Sequence, residues 1–75
     1  MKYVFTITRY KNDVLDYSTD DVNDYPTKAA AVDAARYHAE YWEIIHHGKK
    51  ELTPNGATVS FRSGNDRYLT RYEVK

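Results

Sequence analysis

Between Tyr3 and Tyr10 the chain reads YVFTITRY. Phe5 and Ile7 fall on one side, with Tyr3 and Arg9 at the ends of that row. Val4, Thr6, Thr8 and Tyr10 fall on the other. Period-two alternation in a β-branched and aromatic run predicts a strand. Lys11, Asn12 and Asp13 predict a turn, because Asn and Asp accept left-handed geometry and bond their own backbone. Val14 to Ser18 then reads as a short returning strand whose Asp16 suits a sheet edge. Thr19 to Tyr25 is expected to form an acidic loop.

The period changes at Thr27. From there to Gly48 the sequence TKAAAVDAARYHAEYWEIIHHG predicts the one long helix. Thr27 is a good N-cap after a stiff Pro26, and six alanines supply intrinsic propensity. Gly48 is suited to the left-handed residue that ends a helix. With successive residues about 100° apart, Ala31, Ala35, His38, Trp42 and Ile45 share one stripe. Ala34 and Tyr41 flank it on one side, Val32 and Ala39 on the other. Asp33, Arg36, Glu40, Glu43 and His47 occupy the opposite arc. The stripe reads as core, with small residues approaching the sheet early and Trp42 and Ile45 filling a wider end. A competing possibility is that Trp42 to His46 leaves the helix as a strand, since Trp and Ile favour both states; the unbroken helical period favours the helix.

Beyond Gly48, KKELTPNG reads as a connection punctuated by Pro54, Asn55 and Gly56. Ala57 to Ser63 alternates again, with Ala57, Val59 and Phe61 on one side. Gly64, Asn65 and Asp66 form a second hairpin turn. In the last strand, Arg67 to Val74, one row holds Tyr68, Thr70, Tyr72 and Val74; the other holds Arg67, Leu69, Arg71 and Glu73. The expected architecture is α+β in ββαββ order: one four-stranded, mainly antiparallel sheet with a single helix on one face. Phe5, Ile7, Val59, Phe61, Tyr68 and Tyr72 are expected to meet Ala31, Ala35, Trp42 and Ile45. The first strand, being the most apolar, is expected to lie centrally.

Seventy-five residues make one domain, residues 1–75, near the size where a core alone suffices. With no cysteine and eight tyrosines, aromatic burial has to carry the stability that disulfides supply elsewhere. A strand starting by Tyr3 leaves no room for a signal peptide, and no apolar run approaches a membrane span, so a cytoplasmic location is expected. Formal charge is zero, but unevenly spread. Met1 to Lys11 carries +3; Asn12 to Glu43 carries −6, two bases against eight acids; Ile44 to Lys75 carries +3. Such asymmetry bears on partners rather than on fold.

Little in the chain points to catalysis. Ser18, Ser60 and Ser63 lie outside any nucleophile elbow, and no glycine-rich phosphate loop exists. His46 and His47 diverge on the helix, and without cysteine or a His-Glu motif zinc is not expected; His38 reads as a core histidine. Asp20, Asp21 and Asp24 cluster, but Val22 breaks the alternation of a calcium loop and no glycine follows. That acidic loop is a weaker candidate for docking a basic partner. No cofactor and no small-molecule substrate is expected.

The sheet face away from the helix is the main candidate surface. It should display Val4, Thr6, Thr8, Tyr10, Thr58, Ser60, Arg62, Arg67, Leu69, Arg71 and Glu73. Tyr and Arg are enriched at protein interfaces, so Tyr10, Arg62, Arg67, Leu69 and Arg71 are the expected contact residues. The expected function is a non-enzymatic interaction module binding a protein partner or itself, through this face or an edge strand. The alternative is a small nucleic-acid-binding protein using the same arginines, although the aromatic signature of an RNA-recognition sheet is missing and the chain is not basic overall.

Overall fold

A computed structural model describes residues 2–75. The chain forms β1 (Lys2–Lys11), β2 (Val14–Asp24), α1 (Lys28–His46), β3 (Lys49–Thr53), β4 (Gly56–Ser63) and β5 (Asp66–Val74). The strands form one five-stranded sheet in the order β2-β1-β5-β4-β3. Every neighbouring pair is antiparallel. The helix lies over β4 and β5, touches β1 and β3 at its flanks, and leaves β2 largely beyond its reach. No helix of the described residues is long and apolar enough to cross a membrane.

The α+β class and the single helix agree with the sequence pattern; the strand count does not. Five strands in ββαβββ order replace the expected four, because Lys49–Thr53 pairs with β4 instead of forming a loop. Its two lysines and one glutamate conceal the strand, yet charges of this kind belong on a sheet edge. β2 also continues through Asp24, so Asp20, Asp21 and Asp24 lie on a strand and not in a loop. Paired Val4–Val22 and Thr6–Asp20 positions supply the ladder that local composition did not advertise. β1 is an interior strand, but the centre of the sheet is β5.

The two hairpin turns expected from sequence, β1–β2 and β4–β5, follow the local chemistry. Asn12 and Asp13 adopt φ of 52° and 68°, the left-handed pair that matches hairpin twist. Gly64 turns the β4–β5 hairpin at φ 62°. Asn12 then ties one turn to the other: its Nδ2 donates to Asp66 at 3.0 Å, and its Oδ1 accepts from the Arg67 backbone at 2.9 Å.

The helix begins as expected, with Thr27 Oγ1 accepting from the Ala30 N–H at 3.1 Å. It ends differently. His47, not Gly48, takes the left-handed position, at φ 52°. The Gly48 N–H reaches the Glu43 carbonyl at 2.9 Å and the His47 N–H reaches that of Ile44 at 3.4 Å, which closes the helix by the paired-bond motif. Gly48 is needed for space: a Cβ there would stand 2.7 Å from the Ser60 carbonyl oxygen.

The buried face of α1 is Ala31, Val32, Ala35 and Ala39. Its centre is rotated by roughly 50° from the expected stripe, at helical period. Trp42 and Ile45 remain 37% and 46% exposed, and His38 is exposed while its ring lies 5.2 Å from that of Phe5. The reason lies on the other flank. Arg36, expected in solvent, donates from Nε to the Gly56 carbonyl at 3.0 Å and from a terminal nitrogen to that of Thr53 at 2.7 Å. Glu43 accepts from the Lys50 backbone at 2.9 Å. These two side chains bind the β3–β4 hairpin, whose existence the sequence concealed, and draw the helix toward it. Phe5, Ala57, Val59, Tyr72 and Val74 complete the core from the sheet.

Candidate interaction surfaces

The face away from the helix carries the residues the alternation assigned to it. Arg62 opposes Arg67, Leu69 lies between Tyr10 and Ser60, and Arg71 between Thr8 and Thr58. Tyr10, Arg62, Arg67 and Leu69 line one shallow concavity of about 440 Å³. Arg71 lies apart, in a neighbouring depression with Thr6, Thr8 and Glu73. Two of the three arginines already face acids: Arg67 meets Asp13 at 2.9 Å and Arg71 meets Glu73 at 3.4 Å. Arg62 forms no ion pair with another described residue. The positive field of this face is therefore weaker than its arginine count suggests.

β2 is the second surface. It is an edge strand of 11 residues, exposed along its length except at Thr19. The helix leaves most of its inner side uncovered, and among the described residues no strand pairs with its outer side. Val14, Leu15, Tyr17 and Val22 are among the most exposed large apolar residues of the protein. Asp20 and Asp21 point to opposite sides, as strand geometry requires, so the acidic cluster does not converge. Asp20 accepts from Thr6 Oγ1 at 2.7 Å and from Lys75 Nζ at 3.2 Å. The Thr6 hydrogen bond, followed by that of Lys75, holds its carboxyl below the usual carboxylate range. Asp16 is the extra residue of a bulge opposite Arg9 and Tyr10, where Arg9 Nε donates to it at 2.9 Å.

A third feature escaped sequence reasoning. With the helix drawn toward β3, its opposite flank and the inner faces of β1, β4 and β5, with Tyr17 of β2 at the rim, leave a trough of about 220 Å³ between them, lined by Ile7, Arg9, Tyr17, Trp42, His46 and Phe61 among others. His46 stacks on Phe61 at 4.1 Å between ring centres, Phe61 on Tyr68 at 4.9 Å, and Trp42 on His46 at 5.5 Å. The Arg9 guanidinium lies 5.8 Å from the ring centres of both Tyr17 and Tyr68. Only the aromatic spacing Trp42–His46 hinted at this ladder; its other rungs come from strands distant in sequence. At its floor Tyr72 is buried, which pushes its phenol up to about 12, against a weaker opposing hydrogen bond with Thr70.

Comparison with protein-family models, with curated proteins and with solved structures finds no match to this chain.

Proposed function

We propose that this chain is a non-enzymatic protein-interaction module whose docking element is the free edge of β2. The observation that carries the reading is the length and openness of that edge: 11 residues, exposed apart from Thr19. An unpaired strand edge offers a ready row of backbone donors and acceptors to an extended segment of another protein. Exposed side chains alternating above and below it supply specificity. The opposite edge, β3, has only five residues. The arginine-bearing sheet face is the weaker docking surface for nucleic acid, because Arg67 and Arg71 spend much of their charge on Asp13 and Glu73 and phosphate binding rests on free cations.

Extended peptides selected from a random library on the immobilised protein test the reading. Selected peptides should shift backbone amide resonances along β2 and lose binding when alternate backbone nitrogens are methylated, which blocks strand addition. Peptides that instead perturb Arg62 and Leu69, or that tolerate methylation, would remove the edge from the account.

A further inference from the structure

The edge of β2 carries four aspartates and no basic residue, and its bulge disrupts regular pairing. Charges and bulges are the usual protection of an exposed edge. Here they do more than repel, because they discriminate between pairing registers. For two copies of β2 meeting antiparallel about a two-fold axis, each residue opposes one at a fixed sum of positions as far as the bulge, which leaves Asp16 unpaired and shifts Leu15 and Val14 by one. Centring the axis on Ser18 then sets Leu15 against the partner's Asp20 and Val14 against the partner's Asp21. Centring it on Asp20 sets that residue against its own twin, and Leu15 against the partner's Asp24. Centring it on Thr19 opposes no aspartate to another and no leucine or valine to an aspartate.

That register also matches the faces. Thr19 meets its twin, a favourable cross-strand pair. Ser18 meets the partner's Asp20 on the face away from the helix, hydroxyl to carboxylate. Tyr17 meets the partner's Asp21 on the helix side. Beyond Tyr17 the bulge takes up Asp16, which Arg9 already neutralises at 2.8 Å. The slip this introduces brings Leu15 opposite the partner's Val22, both on the face away from the helix, where Leu15 partners Tyr10 and Val22 partners Val4 within one chain. These two side chains are each 59% exposed in the single chain. Without the bulge Leu15 would turn to the helix side and face the partner's Asn23 there.

We propose that a second copy of this chain is the occupant of the β2 edge, pairing antiparallel about Thr19 to make one continuous ten-stranded sheet with both helices on the same side. This rests on the reading of β2 as a docking edge and adds the identity of the partner. An isologous pairing of this kind closes on itself, so the product is a dimer and not a fibre. The contact is one strand wide, which places it among the small, reversible interfaces.

The absence of cysteine makes the register directly testable. Opposed residues of an antiparallel pair have Cα atoms about 4.5–5.5 Å apart, within disulfide reach, whereas diagonal neighbours are about 7–8 Å apart. Under mild oxidation Thr19→Cys should form a covalent dimer. Ser18→Cys alone and Asp20→Cys alone should not, but an equal mixture of the two should. By sedimentation, Ser18→Asp should weaken dimerisation about tenfold, since it opposes like charges twice per dimer, and Ser18→Lys should strengthen it; circular dichroism checks that each variant folds. Unaltered protein that stays monomeric at millimolar concentration overturns the proposal, as does cross-linking of Ser18→Cys alone as efficient as that of Thr19→Cys. If the protein is monomeric yet methylation-sensitive peptides still shift β2 amides, the self-pairing falls and the docking edge stands; if neither occurs, both fall.

Discussion

The rotation of α1 can be tested by comparing Ala39→Leu with Ile45→Ala. Ala39 is 0% exposed, on the face that meets the sheet. Adding three carbons there overpacks a closed site, which costs about 1–3 kcal/mol; with backbone on both sides the upper end is expected. Ile45 is a far larger side chain, and in a core position its truncation costs about 2–5 kcal/mol. It is, however, 46% exposed. The three carbons removed are then about half-buried, worth roughly 1 kcal/mol at about 0.8 kcal/mol per carbon, and alanine returns about 0.4 kcal/mol of helix propensity. The net loss should stay below about 1 kcal/mol. Urea unfolding followed by Trp42 fluorescence and circular dichroism measures both, and thermal melting should separate the variants by about 10 °C or more, given about 4–8 °C per kcal/mol for a domain of this size. If Ile45→Ala proves as costly as Ala39→Leu, the helix is seated on the Trp42–Ile45 stripe and the rotation is wrong.

Arg36→Met keeps much of the aliphatic stem but leaves the Thr53 and Gly56 carbonyls without their guanidinium donor; a loss of about 2 kcal/mol is expected, with hydrogen exchange accelerating first in the β3–β4 hairpin. Gly56→Ala would place a Cβ 1.9 Å from the Tyr72 carbonyl oxygen, so at 25 °C the variant should show the circular dichroism of a largely unfolded chain, and a native spectrum would show that β4 and β5 can separate there. The Tyr72 phenol is pushed up to about 12 by burial. Its neutral form is therefore favoured in the folded state, and the associated stability is complete below the unfolded value near 10 and lost as pH rises toward 12. Tyr72→Phe should flatten that alkaline limb in urea titrations at successive pH values. Asp20 shifts the other way, through Thr6 and Lys75: its contribution is present above the ordinary carboxylate range and lost as pH falls through its lowered value, so Asp20→Asn should reduce the acid sensitivity of melting.

Local pattern determined a good deal. Alternation from Tyr3 to Tyr10 and from Arg67 to Val74 assigned the correct residues to each sheet face, because side-chain direction in a strand depends only on parity. Asn12 and Asp13 made a hairpin turn because their own side chains tolerate the left-handed region, and Thr27 capped the helix with its own hydroxyl. The proposed contact residues Tyr10, Arg62, Arg67 and Leu69 came together on one face for the same reason. Tertiary structure decided the rest. Lys49–Thr53 and Thr19–Asp24 became strands only through the neighbours they pair with, since an edge strand needs little apolar content of its own. Helical period alone could not choose between adjacent arcs of α1. Alanine fits close to a sheet while Arg36 and Glu43 can each satisfy backbone groups on β3 and β4, and that combination turned the bulky arc toward the trough. The free edge of β2 follows from the order in which the strands pair, and the aromatic ladder of α1, β4 and β5 from where the helix came to rest, a balance of contacts among segments far apart in the chain.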